Sequence, residues 1–207
     1  VRSRISLPIA MLTCCVPATA QMNLFVGWSV QAATGYQSIS PKLSNYSSPY
    51  ASAYTNSESS TGYPLVVNGN YTWSVSERVV MGLGYERNLR RSNPSSQYFS
   101  GTGVTTTMGF KNQSQLSVMA GQLIRNDGMV YTKLGYATMD TTNAINNFSL
   151  SGYGLGLGYK TFLNPFQFVF TEVNYTKMGD TNVTSGTQTF KASATGKGAL
   201  IGMGWQF

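Results

Sequence analysis

The chain has 207 residues, 10% of them charged, with a formal net charge of +7 and no histidine. A soluble domain carries ~25% charged residues, and a helical membrane protein needs uninterrupted apolar runs of ~18 residues. This sequence has neither, and its mean hydropathy is −0.12. Without histidine, the commonest general base and the commonest transition-metal ligand are both missing.

Arg2 and Arg4 form a basic start, Ile5 to Val16 is short and apolar, and Ala18-Thr19-Ala20 supplies small residues before Gln21. Residues 1–20 read as a secretory signal peptide, too short in its apolar part to span a bilayer. Cys14 and Cys15 both fall inside it, so residues 21–207 would use no disulfide or thiol chemistry. Loss of Arg2 and Arg4 leaves 12 basic and 7 acidic residues, a net charge of +5 that favours anionic sugars or lipids.

From Met22 the apolar residues recur every second position, the signature of a strand with two different faces. Leu24, Val26, Trp28, Val30, Ala32 and Tyr36 share one face, and Asn23, Gly27, Ser29, Gln31 and Gly35 the other, with Phe25 as the exception. Residues 38–62 break the period and read as a long loop rich in Ser, Tyr and Asn. Strand two carries Leu65, Val67, Tyr71, Trp73 and Val75 on its apolar face, and Ser76-Glu77-Arg78 is a tight turn. Strand three has Val79, Met81, Leu83 and Tyr85 outward, against Val80, Gly82, Gly84, Glu86, Asn88 and Arg90. Residues 90–103 form a second long loop.

Strand four lies within residues 106–124, with Leu116, Val118, Ala120 and Ile124 outward. Met119 and Leu123 fall on the opposite side, which points to a bulge. Asp127-Gly128 is a hairpin signal. Strand five places Val130, Thr132, Leu134 and Tyr136 against Tyr131, Lys133, Gly135 and Ala137, and residues 139–148 form the third long loop. Strand six sets Tyr153, Leu155, Leu157 and Tyr159 against four glycines and Lys160, and Leu163-Asn164-Pro165 is a short turn. Strand seven has Val169, Thr171, Val173 and Tyr175 outward and Glu172 and Asn174 inward. Residues 179–186 form the fourth loop, and strand eight closes with Ala199, Ile201, Met203, Trp205 and Phe207 opposite Gly198, Leu200, Gly202, Gly204 and Gln206.

Long and short connections alternate, so four long loops leave one rim and three tight turns the other. Together with an apolar face rimmed by aromatics, this predicts an all-β fold: an eight-stranded antiparallel up-and-down transmembrane β-barrel. A lipocalin-like soluble carrier in the periplasm is the rival, with its apolar face inward and its charges outside. The few strand charges here, Glu86, Lys133, Lys160 and Glu172, share the glycine-rich side and oppose the aromatics.

These segments, and most specifically Gly198-Ala199-Leu200-Ile201-Gly202-Met203-Gly204-Trp205-Gln206-Phe207, resemble the small outer-membrane β-barrel family. That family includes the OmpA membrane domain, OmpX/Ail-type proteins and opacity-like "porin family" proteins. The resemblance covers residues 21–207. It implies location in a Gram-negative outer membrane, and implies that Ile201, Met203, Trp205 and Phe207 are the signal read by the barrel assembly machinery. Trp205 stands where tyrosine is commoner.

No motif carries catalysis. Gly152, Gly154, Gly156 and Gly158 recur every second residue, unlike a phosphate-binding turn between a strand and a helix. Enzymes of the barrel families resemble one another in needing a histidine base, and scattered carboxylates without His or Cys leave no good transition-metal site. The expectation is therefore no catalytic residue, no metal and no cofactor. Glu86, Lys133, Lys160 and Glu172 read either as an internal charge network filling a narrow lumen or as an ion path. Arg87, Arg90 and Arg91 read either as a lipopolysaccharide contact or as solvated, snorkelling arginines. Tyr46, Tyr50, Tyr54 and Tyr63 give the first loop the composition of a binding surface or of a variable loop. The resulting expectation is a monomeric structural or surface-interaction protein, adhesion-like through its outer loops. Outer-membrane lipid and lipopolysaccharide would surround it, and it would have no nucleic-acid partner. A narrow passive pore and the periplasmic carrier are the alternatives.

Overall fold

The two faces of the alternating pattern become the inside and outside of a closed wall. The computed structural model describes residues 24–45, 55–99, 104–143, 147–185 and 188–207. The expected signal peptide with Cys14 and Cys15, and the loop residues Tyr46, Tyr50 and Tyr54, lie outside the described residues.

Eight strands form the ring: β1 (Gly27–Asn45), β4 (Leu65–Ser74), β5 (Val79–Asn88), β7 (Val104–Leu123), β8 (Gly128–Asn143), β9 (Ser149–Asn164), β10 (Gln167–Met178) and β12 (Gln188–Gln206). Each pairs antiparallel with its neighbours, and β12 closes on β1 from Ser29↔Gln206 to Asn45↔Phe190. Four short strands decorate the upper rim: β2 (Thr55–Ser57), β3 (Ser60–Gly62), β6 (Ser95–Phe99) and β11 (Thr181–Ser185). Among the described residues no helix is long and apolar enough to cross a membrane, and these strands supply the alternative way across.

Trp28, Leu83, Leu155 and Ile201 point away from the lumen, at 65%, 51%, 43% and 61% exposure. This is the reverse of a lipocalin, whose apolar face would turn inward. Trp28 and Tyr71 meet at 5.1 Å, and Tyr71 stacks on Trp73 at 6.3 Å. With exposed Tyr159, Phe166, Trp205 and Phe207 they line the lower end of the outer face. Tyr36, Tyr63, Tyr85, Tyr136 and Tyr153 form the corresponding upper ring. Aromatic girdles at both interfaces are what a bilayer-spanning barrel needs.

Three tight turns close the lower end, as the sequence predicts. Val75 N donates to Val79 O at 2.9 Å, Ile124 N to Gly128 O at 3.0 Å, and Asn164 Oδ1 accepts from Phe166 N and Gln167 N at 3.0 and 2.9 Å. The last is an Asx turn, a local backbone mimic.

The upper connections depart from expectation. Residues 38–45, 95–99, 139–143 and 181–185 were expected in loops and are strand. β7, with 20 residues, is about 66 Å long. Tilted at ~40° it climbs about 50 Å, twice the ~25 Å apolar band, so the wall continues well above the membrane. The reason lies inside. Ile39, Met108, Phe110, Ala137, Met139, Leu150, Met178, Ala192 and Ala194 form a buried cluster within the upper barrel, while solvated polar residues outside erase half of the periodic signal.

The expected bulge exists, in a different place. Register shifts between Lys111 and Ser114, and Asn112 adopts φ 52°. The insertion reverses the strand's phase, so even-numbered Phe110 and Met108 above it face inward together with odd-numbered Gln115 and Ser117 below it. Met119 and Leu123 turn inward without any bulge, because the lower lumen is apolar. There Phe25, Val80, Met119, Met129, Tyr131, Phe162, Phe168, Phe170 and Leu200 are packed together.

That packing corrects the expectation of a lumen filled by glycine, amides and ion pairs. An eight-stranded barrel is just wide enough for side chains to fill it, and here aromatic rings do so. Phe25 meets Phe162 edge-on at 4.9 Å, and Phe162 meets Phe168 at 5.5 Å. Phe25, the exception to strand-one alternation, turns into the lower mouth, where Thr72 Oγ1 donates to its carbonyl. Gly27 permits the turn with φ 116°, where a Cβ would strike Phe207 O.

Candidate functional site: a charge lock and a cationic outer rim

Polar side chains cross the lumen between the two apolar clusters. Inward parity brings Glu86 from β5, Lys133 from β8 and Glu172 from β10 to one level. In the eight-strand ring, β5 and β10 stand four places apart, on opposite sides of the barrel. Lys133 Nζ bonds both carboxylates: Glu86 Oε2 by a short contact, and Glu172 Oε1 at 2.8 Å. Tyr131 OH donates to Glu172 Oε2 at 3.1 Å, and Asn68 Nδ2 lies 3.5 Å from Glu86 Oε2. Lys133 and Glu172 are nearly inaccessible, with side-chain exposures of 6% and 2%, while Glu86 keeps 17%.

Lys160 sits apart from this triad. Its ammonium lies 4.1 Å from the centre of the Phe168 ring, a cation–π contact that joins the charged level to the lower apolar cluster. Sequence parity places Tyr131 on the lumen side without marking it as a partner of Glu172, and gives no sign of the Asn68 or Phe168 contacts.

Above the triad, Gln37 Nε2 donates to Gln113 Oε1 at 2.9 Å, and Asn88 Oδ1 accepts from Leu65 N and Arg90 N at 3.2 and 3.0 Å. These amides border a cavity of about 50 Å³ that reaches down to Glu86 and Gln115.

Arg87 points outward and is exposed, as are Arg90 and Arg91 just beyond the end of β5. Across β7, Lys111 is in register with Asp140. Asp140 Oδ2 accepts from Asn112 Nδ2 at 2.8 Å, and Oδ1 from Ser149 Oγ at 2.7 Å. These two hydrogen bonds, then the field of Lys111 and Arg87, hold the Asp140 carboxyl below its ordinary value. A second set of cations, which the sequence reading passes over, occupies the other side: Lys42, Lys177 and Lys197 are exposed and outward. Lys191 pairs with Asp180 at 2.5 Å. That hydrogen bond, foremost, holds the Asp180 carboxyl below the usual range.

Among the described residues no group of His, Cys, Asp and Glu side chains could hold a metal ion. Ile201, Met203, Trp205 and Phe207 form one exposed outward row.

No family model matches the chain, and no characterised protein matches it in sequence. Its fold does match solved structures. The outer membrane protein OprG of Pseudomonas aeruginosa superposes with a TM-score of 0.60 at 14% identity, covering 88% of this chain and 97% of OprG. Ail, the attachment invasion locus protein of Yersinia pestis, solved with the heparin analogue sucrose octasulfate, gives 0.51 at 13% identity, covering 88% of this chain and 100% of Ail. The outer membrane protease OmpT of Escherichia coli gives 0.51 at 8% identity, covering 87% and 96%. The architecture is that of a small outer-membrane β-barrel.

Proposed function

We propose, from the architecture of a small outer-membrane barrel, that the protein is a non-catalytic, monomeric wall and surface-interaction protein of a Gram-negative outer membrane. Its upper hairpins meet anionic sugars outside the cell. The observation that carries this reading is the contrast between a lumen filled at three levels and a rim rich in accessible cations. Below, aromatic rings pack around Phe168; in the middle, Lys133 ties opposite walls together; above, Ile39, Met108 and Phe110 are buried against each other. Outside, Arg87 on β5 and Arg90 and Arg91 just beyond its end are exposed, suited to bind phosphate or sulfate groups bidentately. The absence of histidine throughout the chain argues against the hydrolytic chemistry of a protease such as OmpT. The outward row ending at Phe207 is the surface offered to the assembly machinery during insertion.

The narrow-pore reading draws on the cavity beside Gln37, Asn88 and Gln113. Packed side chains stand above and below it, so we expect no through path. Single-channel recording on refolded protein in planar bilayers should show no steady conductance, and a reproducible open level would overturn the closed-lumen reading. For the rim, immobilised lipopolysaccharide and a polysulfated sugar, the ligand class seen on Ail, are the first probes. Arg87→Gln, Arg90→Gln and Arg91→Gln together should weaken retention and flatten its salt dependence. Unchanged retention would remove the arginines from the proposal.

A further inference from the structure

Lys177 and Lys197 stand together on the membrane-facing wall, on the side away from the three arginines. The register pairs Lys177 with Thr195 and Tyr175 with Lys197, which makes the two lysines diagonal neighbours on adjacent strands, about 7–8 Å apart at the backbone. Lys177 also lies opposite Tyr153 on β9, and Lys197 opposite Ser38 on β1. Both lysines are exposed. Glu172 of the same strand is turned into the lumen and held by Lys133, and Asp180 above is held by Lys191. Neither carboxylate is therefore free to neutralise the lysine pair.

What lies beneath them sets their ligand. Leu155, Leu157, Val173 and Ile201 are exposed on the same outward face, one to three side-chain rows lower. Acyl chains are the natural cover for such a surface, and lysines at its upper edge meet the head-group level, where a cation attracts anionic lipid. Tyr153 of the upper aromatic ring, in register with Lys177, and half-buried Tyr175, in register with Lys197, flank the pair and bring hydroxyl donors to it.

We propose that Lys177 and Lys197, with Tyr153 and Tyr175, form a side-on binding site for the phosphate group of an outer-leaflet lipid, whose chains lie on Leu155, Val173 and Ile201. Two ammonium groups at this spacing converge on one phosphate, each contributing a charge-assisted hydrogen bond. The site rests on the outer-membrane reading above. It differs from the arginine contact in position, since Lys177 and Lys197 stand on β10 and β12, across the ring from Arg87 on β5 and from Arg90 and Arg91 just beyond its end.

The test is native mass spectrometry of the refolded barrel, released from micelles containing bisphosphorylated lipid A or its dephosphorylated form. Heat-modifiable gel mobility establishes that each sample is an inserted barrel. We expect the wild type to retain phosphorylated lipid A and lose the dephosphorylated form. K177Q/K197Q should retain it about ten- to thirtyfold less well, and R78Q, in the tight turn at the opposite rim, should retain it normally. Equal retention by K177Q/K197Q and wild type, in an inserted barrel, overturns the site and leaves the barrel reading standing. Displacement of the lipid by millimolar inorganic phosphate would show an anion site without lipid selectivity and overturn it too. A chain that never inserts takes both readings down.

Discussion

Lys133 Nζ lies 2.8 Å from Glu172 Oε1 and also bonds Glu86, so one ammonium links two strands on opposite sides of the barrel. No hairpin contact can do this, because neighbouring strands join only adjacent parts of the wall. The pair therefore fixes the cross-section of the barrel, and its members are unequal. Glu172 is buried to 2% of its side chain, whereas Glu86 keeps 17%.

Removing the shared cation should cost more than removing either anion. Lys133→Met leaves two carboxylates facing each other in a narrow lumen, a defect of about 3–5 kcal/mol. Glu86→Gln leaves the Lys133–Glu172 pair intact and should cost clearly less. Urea unfolding of the refolded protein in lipid vesicles measures both. Equal losses would mean that Lys133 serves one carboxylate alone.

Gly156 controls the same lock from a neighbouring strand. A Cβ there would lie 2.7 Å from both Cγ and Cε of Lys133, too close for the lysine to keep its course across the lumen. Gly156→Val should therefore reproduce much of the Lys133→Met loss although it removes no charge. Gly69, with nothing within 4 Å of its added Cβ, is the control. Gly69→Ala should be neutral or stabilising by up to about 1 kcal/mol, because it reduces the freedom of the unfolded chain. The same unfolding assay separates the two.

The bulge at Asn112 predicts a residue-type ranking. At φ 52° a β-branched side chain is strained, while glycine is at ease and asparagine tolerable. Asn112→Val should destabilise the upper barrel by about 1–2 kcal/mol. Asn112→Gly should keep the backbone and lose only the bond to Asp140. Deleting Asn112 is more severe, because it returns β7 to one phase and sends Phe110 and Met108 into solvent. Hydrogen exchange of β7 amides above and below residue 112 reads the difference: the deletion should unprotect the upper half alone.

The ring was legible in the sequence because each membrane crossing sets lipid against lumen. Trp28, Val30 and Ala32 alternate with Ser29 and Gln31, and the structure turns them to opposite sides. Above the bilayer that contrast fades. Ile39 between Ser38 and Ser40 is a single buried apolar residue in polar company, indistinguishable in sequence from a loop residue. Its neighbours in the cluster, Met108 and Leu150, are distant along the chain, so the plug that orders the hairpins has no local signature. The lumen charges were legible as a set by parity. Their pairing depended on barrel closure, since Glu86 and Lys133 are separated by 47 residues and become partners only across the lumen. Lys160 shows the limit most clearly: parity put it inside with the others, and the ring of Phe168 decided what it touches.

Asp140 ties the bulge to the rim and makes the upper barrel sensitive to acid. Its carboxyl accepts from Asn112 and Ser149, and these bonds, before the field of Lys111 and Arg87, place its folded pKa below the ordinary 3.8. A lowered carboxyl pKa means that the ionised form is favoured by folding. The stabilisation is therefore fully present above 3.8 and is lost as the pH falls from there through the folded value. At neutral pH the bond set is intact, so mild acidification should leave the rim unchanged. Below the carboxylate range, protonated Asp140 loses acceptor strength for Asn112 and Ser149, and its attraction for Lys111 and Arg87 disappears. Carboxyl-carbon NMR should find Asp140 titrating below the ordinary value in wild type and nearer to it in Asn112→Gly. Amide exchange in the upper parts of β7 and β8 should quicken at low pH in wild type, while Asp140→Asn should show the quicker rate already at neutral pH with little further change in acid. If Asp140→Asn retains the full acid response, another carboxylate controls the rim.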